Sequence, residues 1–311
     1  MLDRPLPVIV NRNSGGASAA GDALAGRIEA AFATVGRSID LHIVEGSEIA
    51  PLVCKASHGG RIVVAGGDGT IACTAQQLAG SDCDVALLPL GTLNHLARDL
   101  AIPAEMDEAA RLAATGRAAA IDVAKVNGHR FVNNASIGLY PSMVRGRDDR
   151  RERRRWPKWL ATVPAAWTAL ARLAHHRLRV DMGAGLQPLV TSLLFVGNNH
   201  YALEAGQVGK RTSLIDGQLS VFAVAHRSRL GLIWFALRAL VGLADREADF
   251  VMIGDCPALT VHSSSGSVEL ALDGELQRLQ SPLKFTVEPG ALQIVAPIAE
   301  DSAAENSAEA P

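Results

Sequence analysis

Through the first third of the chain, short apolar runs closed by small polar residues alternate with longer stretches of helical period. "LPVIVN", "IDLHIV", "RIVVAG" and "DVALLPL" are rich in β-branched and aliphatic residues, which predicts strands. Ala17 to Val35, Glu48 to Ser57 and about Ile71 to Ala79 carry the spacing of helices. Strand and helix in this rhythm imply a parallel sheet with helices on both faces, and such a sheet binds ligands at the carboxyl ends of its strands. From about Ala120 the pattern changes. "AAIDVAKV", "HRFVNNASI", "LVTSLLFVGNN", "QLSVFAVA", "ALTVHSS", "SVELALDGE", "LKFTVEP" and "LQIVAP" read as strands, punctuated by turns such as Asn127-Gly128 and Asp216-Gly217. That pattern predicts an antiparallel β-sandwich, interrupted by helical patterns near residues 156–176 and 229–244. The expected domains are residues 1–124 (α/β) and 125–283 (β-rich), with residues 299–311, small, polar and acidic, as a disordered tail.

A length of 311 residues accommodates two such domains. The net charge of −2 gives no global attraction to nucleic acid. The N-terminus lacks an apolar run of signal-peptide length. The longest uncharged apolar stretches, Trp159 to Ala171 and Leu230 to Leu237, fall short of the roughly 20 residues that span a bilayer. Cys54, Cys73, Cys83 and Cys256 have no metal-type spacing and read as reduced core residues of a cytoplasmic protein. One local charge stands out. Residues 145–158 hold eight Lys or Arg against three acids, and Trp156, Trp159 and Trp167 lie within or just after them. Basic residues beside tryptophans suit peripheral contact with an anionic membrane surface, here the inner face, and a solvated charged face is the plainer reading.

Three glycine-bearing turns sit at predicted strand ends. "NRNSGG" (Asn11 to Gly16, with Ser14, Gly15 and Gly16) and "GGDGT" (Gly66, Gly67, Asp68, Gly69, Thr70) each join a strand to a helix, where backbone amides can face phosphate oxygens. "PLGTLNHLARDL" adds the short polar side chains of Thr92 and Asn94 at a further strand end. One such turn is often a purely steric device; three together favour a nucleotide. Asp68 beside a phosphate would repel it unless a cation lies between them, which points to Mg²⁺. In the second half, "LALDGE" places Asp273 and Glu275 at a glycine turn, as a hairpin or as acids able to accept a proton from a hydroxyl. "SLIDGQLSV" is a hairpin in which Asp216 could bind an ion with nearby carbonyls. Asp122, inside an apolar strand, requires a bound group or a salt bridge with Lys125 or Arg130.

Taken in order, "NRNSGG", "VVAGGDGT", "PLGTLNHLARDL", "IDVAKV", "NNASIG", "VGNN", "IDGQLSV" and "LALDGE" resemble the diacylglycerol kinase catalytic-domain family, which includes bacterial lipid kinases and sphingosine and ceramide kinases. The resemblance runs from about residue 6 to 297. It implies an N-terminal α/β domain with a parallel sheet, akin to NAD kinases, to which the last strands, about 284–297, return. It implies also a β-sandwich lipid domain and an active site in the cleft between the two. ATP would meet Asn11, Gly66 to Thr70 and Thr92, with Asp68 acting through Mg²⁺. Asp273 and Glu275 would be the catalytic acids, and Asp122 would line the cleft. A structural Mg²⁺ would be held by Asp216 and the carbonyls of Ser213 and Gln218. The implied reaction is transfer of the γ-phosphoryl group of ATP to a primary hydroxyl of a membrane lipid. The chain departs from the family pattern in three motifs: Arg12 replaces a proline, His95 replaces an aspartate after Asn94, and Val44 and Glu45 stand around the place where a threonine is common. An NAD kinase-like enzyme with a soluble acceptor, or an ATP-binding regulator without turnover, are the alternatives.

Overall fold

A computed structural model describes residues 4–21, 23–138, 176–201, 211, 213–224 and 250–297. The basic run 145–158, the tail 299–311 and the helical patterns near 156–176 and 229–244 lie outside them, apart from His176, which opens a strand instead of ending a helix. Two compact units are present. The first takes residues up to Ile121 and again from Leu292, and the second takes Asp122–Ala291.

In the first unit, β1 (Leu6–Asn11), β2 (Ile39–Val44), β3 (Arg61–Gly66) and β4 (Asp84–Pro89) lie in the order β2-β1-β3-β4, and the end of β16 (Leu283–Ala296) adds beside β4. Every pairing is parallel, with Val8 opposite Val63, Ala65 opposite Leu88 and Ile294 opposite Val85. All the strands therefore end on one rim. The intervening helices are α1 (Gly15–Ala20), α2 (Ala23–Thr34), α3 (Gly46–Ala56), α4 (Asp68–Leu78), α5 (His95–Asp99) and α6 (Met106–Thr115). β3 is buried from Ile62 to Gly66, as a central strand covered on both faces must be. One face packs Val8, Val10, Val63, Ala86 and Leu88 against Ile28 and Phe32 of α2 and Ala110 of α6. Truncating Phe32 to alanine would cost about 3–5 kcal/mol.

The helix expected from Ala17 to Val35 is two helices, because Gly21 adopts a left-handed backbone (φ 56) between them. α4 starts at Asp68 rather than near Ile71, with Gly67 as its extended N-cap. At the opposite rim, Arg61 donates to Asp84 and to the carbonyls of Ala113, Ala114 and Gly116, which ties β3 and β4 to the end of α6.

β5 (Arg117–Val126) carries the chain into the second unit. There follow β6 (His129–Phe131), β7 (Asn134–Gly138), β8 (His176–Asp181), β9 (Gln187–Thr191), β10 (Leu193–Asn198) and β11 (Leu219–Val224). The remaining strands are β12 (Phe250–Cys256), β13 (Ala258–Ser263), β14 (Ser267–Leu272) and β15 (Glu275–Gln280). One antiparallel sheet has the order β12-β11-β10-β7-β14-β15. In the other, the first part of β16 pairs β13, β13 pairs β8 and β8 pairs β9, again antiparallel. Leu194, Val221 and Leu270 of the first sheet share a buried core with Val261, Leu283 and Phe285 of the second, and Phe131 meets Phe285 edge-on at 6.4 Å. This is a β-sandwich.

"LKFTVEP" and "LQIVAP" form a single strand of 14 residues that continues through Gly290 (φ 58), and only the part from Leu292 belongs to the first unit. Asp122 pairs with neither Lys125 nor Arg130; both cations bind Glu288 instead, at 2.6 and 2.7 Å. Strand alternation is the reason: Lys125, three residues on, points to the opposite face from Asp122, and Arg130 stands directly across from Lys125 on β6. Cys83 and Cys256 are buried, but Cys54 is exposed and Cys73 is half-buried, so the expectation of four core thiols holds for two. Burial pushes the thiols of Cys83 and Cys256 up to about 11.

Candidate active site

The three glycine turns lie on the rim where β1, β3 and β4 end, and they brace one another. Asn11 Nδ2 donates to Thr70 Oγ1 at 2.8 Å, which joins the first turn to the second. The Gly16 amide donates to Leu90 O at 2.8 Å and the Leu90 amide to Gly66 O at 2.9 Å, so the third turn is tied to both others. Space is scarce. A Cβ on Gly91 would stand 2.5 Å from Gly67 Cα, and one on Gly16 would stand 2.9 Å from Leu90 O. Glycine at these positions lets three backbones approach, a use that needs no ligand to explain it.

Several side chains expected to touch ATP are committed to the turns themselves. Ser14 is buried and its hydroxyl donates to Asn11 O at 2.8 Å. Asn94, in a left-handed conformation (φ 50), accepts from the Gly91 amide and donates to Gly91 O, each at 2.9 Å. Thr70 is buried in the first turn of α4. Thr92 is exposed. The first amides of α4, those of Asp68 and Gly69, have no intrahelical partner by helix geometry, and Gly15 places no side chain over the rim. Asp68 Oδ1 accepts from the His95 amide at 2.7 Å, while Oδ2 accepts no hydrogen bond from the described residues. Arg12 is exposed, and its amide donates to Val44 O, which joins β1 to the end of β2.

In the second unit, Asp273 and Gly274 are the central residues of a two-residue hairpin (φ 47 and 89) that pairs Leu272 with Glu275. Positive φ at both is the signature of a type I′ turn, for which Asp-Gly is suited. The Asp273 side chain reaches the β6–β7 turn. Oδ1 accepts from the amides of Asn133 (2.7 Å) and Asn134 (3.0 Å), and Oδ2 accepts from Val132 (2.8 Å). Burial pushes the Asp273 carboxyl up to about 6, against the opposing pull of those amides and of Arg211. Glu275 is exposed as a residue, yet local desolvation raises its carboxyl too.

Asp122, 2% exposed, accepts from the amides of Gly290 (2.8 Å) and Gly217 (2.7 Å). It thus clamps the glycine of β16 to the turn that holds Asp216. Asp216 is exposed; its amide donates to Asn199 Oδ1, and its Oδ2 accepts from the His200 amide at 3.3 Å. Gln218 O accepts from the Asn199 amide, and the Ser213 hydroxyl accepts from the Ile215 amide. Asn199, itself left-handed (φ 67), is the hub of this turn.

The family model for the diacylglycerol kinase catalytic domain matches residues 5–126. The chain carries a diacylglycerol kinase catalytic domain, and it is a kinase. The matched residues hold all three glycine turns of this kinase. It is similar to a protein of Cronobacter sakazakii named "probable lipid kinase YegS-like", 26% identical over 83% of this chain and 86% of that one. A protein of the same name from Pectobacterium atrosepticum is 47% identical over 84 residues, 25% of this chain and 28% of that one. A solved diacylglycerol kinase from Bacillus anthracis has the same fold, with a TM-score of 0.64 at 20% identity, covering 96% of this chain and 99% of that one.

The kinase offers hard oxygen donors for Mg²⁺. Asp68 keeps one carboxylate oxygen open beside the turns, which fits a hydrated ion reached through phosphate or water. Among the described residues Asp216 Oδ1 accepts no hydrogen bond, and the same turn holds the carbonyl of Gln218, which also fits. Among the described residues no three His, Cys, Asp or Glu side chains cluster as a cage, so either ion would depend on carbonyls, water or phosphate for its remaining ligands. Arg211, Tyr201, Asn133 and Asn199 were missed as site residues by sequence reasoning. "NNASIG" and "VGNN" marked the asparagines, but nothing in the pattern assigned them partners. No helix among the described residues is long and apolar enough to cross a membrane.

Proposed function

We propose that the protein is an ATP- and Mg²⁺-dependent lipid kinase, moving the γ-phosphoryl group of ATP to a primary hydroxyl of a membrane lipid such as diacylglycerol, a related glycerolipid or a sphingoid base. The observation that carries this reading is the bracing of three glycine turns on one sheet rim around the open oxygen of Asp68. A strand-end rim of this kind, with the free amides of α4, suits the phosphates of a nucleotide. The names of the curated relatives support a lipid acceptor.

In this reading the lipid hydroxyl oxygen attacks the γ-phosphorus. The bond from that phosphorus to the bridging oxygen breaks, its electron pair leaves with ADP, and the hydroxyl proton passes to Asp273 Oδ2. Oδ2 is the oxygen with room: among the described residues it accepts one amide, whereas Oδ1 accepts two. A carboxyl held up to about 6 is mostly ionised at neutral pH yet basic enough to accept a proton. Mg²⁺, when bound, would neutralise phosphate charge beside Asp68. Asp216, with the carbonyls of Ser213 and Gln218, would hold a second, structural ion. The basic run 145–158 would rest on anionic headgroups.

The test is transfer of labelled γ-phosphate from ATP and Mg²⁺ to a total bacterial lipid extract by wild type, Asp68→Ala and Asp273→Ala. A labelled lipid made by wild type and lost in both variants is expected. Intact ATP binding with no labelled lipid would overturn the proposal in favour of a soluble acceptor or a sensor.

A further inference from the structure

We infer that Arg211 is a positioning residue for Asp273, acting on it through the peptide unit that joins Val132 to Asn133, while Tyr201 acts through the one that joins Asn133 to Asn134. The inference rests on the reading of Asp273 as the proton acceptor.

Arg211 is 8% exposed. Its Nη1 donates to Val132 O and its Nη2 to Asn133 Oδ1 at 3.0 Å, while its guanidinium lies 5.9 Å from the centre of the Tyr201 ring. The Tyr201 hydroxyl donates to Asn133 O at 2.8 Å. Asn198 adds a donor to each carbonyl, Nδ2 to Val132 O at 3.1 Å and its amide to Asn133 O at 2.9 Å. Both carbonyls are thus loaded with two donors. The N–H groups of those same two peptide units are the amides of Asn133 and Asn134, which are the two that hold Asp273 Oδ1.

A carbonyl that accepts from a cation polarises its peptide and strengthens the N–H at the other end as a donor. Arg211 and Tyr201 therefore bear on one oxygen of Asp273. Negative charge is drawn to Oδ1, and Oδ2, held among the described residues only by the Val132 amide, is left available. Among the described residues, the charged groups beside Asp273 are Arg211 and, two positions on in its own hairpin, Glu275; the β6–β7 turn presents amides. A guanidinium is costly to bury for packing alone, and this one serves the turn whose amides hold the acceptor.

The experiment is a pH titration of the Asp273 carboxyl by carbon NMR, assigned by its loss in Asp273→Asn, in wild type, Arg211→Met, Arg211→Lys and Tyr201→Phe. The pH profile of kcat/KM for lipid phosphorylation is measured alongside. Arg211→Met is expected to raise the Asp273 midpoint by about one pH unit or more, and to move the acid limb of kcat/KM by the same amount. Arg211→Lys keeps the cation but loses the fork, and shifts both less. Tyr201→Phe shifts both in the same direction by a smaller step, and carries the test if Arg211→Met does not fold. Loss of activity or stability with an unmoved Asp273 midpoint would overturn the inference and leave Arg211 a structural brace. A midpoint that moves while the acid limb stays fixed would uphold the coupling and remove Asp273 as the proton acceptor.

Discussion

Gly67 and Gly91 pass each other with no room for a side chain: the Cβ of an alanine at 91 would stand 2.5 Å from Gly67 Cα, and one at 67 would stand 3.0 Å from Gly91 Cα. The second and third turns are thereby held at backbone contact. Gly91→Ala should force them apart and lower nucleotide affinity by about tenfold or more, read by calorimetric titration with ATP and Mg²⁺. Gly26→Ala is the control. Gly26 sits inside α2 with nothing within 4 Å of the added carbon, so the substitution should add roughly 0.5–1 kcal/mol of stability and leave affinity unchanged.

Asp68 has two jobs that one substitution can separate. Asparagine at this position still offers an oxygen to the His95 amide, now at 2.7 Å from Asp68 Oδ1, but carries no charge for a cation. Asp68→Asn should therefore melt within a few degrees of wild type while its kcat falls about a hundredfold or more. A large drop in melting temperature would mean that the carboxylate acts mainly as a brace between turns.

Folding raises the Asp273 carboxyl from 3.8 to about 6, so the folded chain binds this proton more tightly than the unfolded one. The stabilisation that the proton brings is complete below about pH 3.8 and disappears as pH climbs through 6. A rise of about two units corresponds to roughly 3 kcal/mol. Urea unfolding of wild type and Asp273→Asn at pH 4 and pH 7.5 should show the difference between them shifting by that order in favour of the variant at the higher pH. Activity should run the other way, with kcat/KM falling below about pH 6 as the acceptor becomes protonated.

Glu288 responds to pH with the opposite sign. Burial pushes its carboxyl up, but hydrogen bonds from Arg130 and Lys125 outweigh that and set it below the ordinary value of 4.5. Its contribution is present above pH 4.5 and is lost as pH falls through the depressed value. Glu288→Gln should cost about 1 kcal/mol at pH 7 in low salt, less in high salt, and close to nothing near pH 3. Denaturation at those pH values and two ionic strengths measures it.

Local pattern carried the first unit well. β1, β3 and β4 are aliphatic runs that end at asparagine, glycine and proline, and parallel strands buried on both faces announce themselves in that way. What the pattern did not carry is partnership across the chain. Lys125 and Arg130 lie 163 and 158 residues from Glu288, and Asn133 lies 78 from Arg211, so no window of sequence contains either pair. Nearby charges therefore looked like the natural partners of Asp122, whose carboxylate instead takes two amides that sequence does not display. At the glycine turns the residue types were legible and their division of labour was not. Asn11, Ser14 and Asn94 read as ligands because short polar side chains serve equally well as ligands and as braces.

β16 enters as a strand of the second unit and leaves as a strand of the first, where Gln293 and Ile294 sit against Asp84 and Val85 of β4. During synthesis, β4 emerges some two hundred residues before the strand that will cover its edge. Until Gln293 and Ile294 leave the ribosome, that edge is an open ladder, and an open ladder invites pairing with other chains. A fragment cut to residues 5–126, the span of the catalytic-domain match, would keep every glycine turn and still lack the strand that closes its sheet.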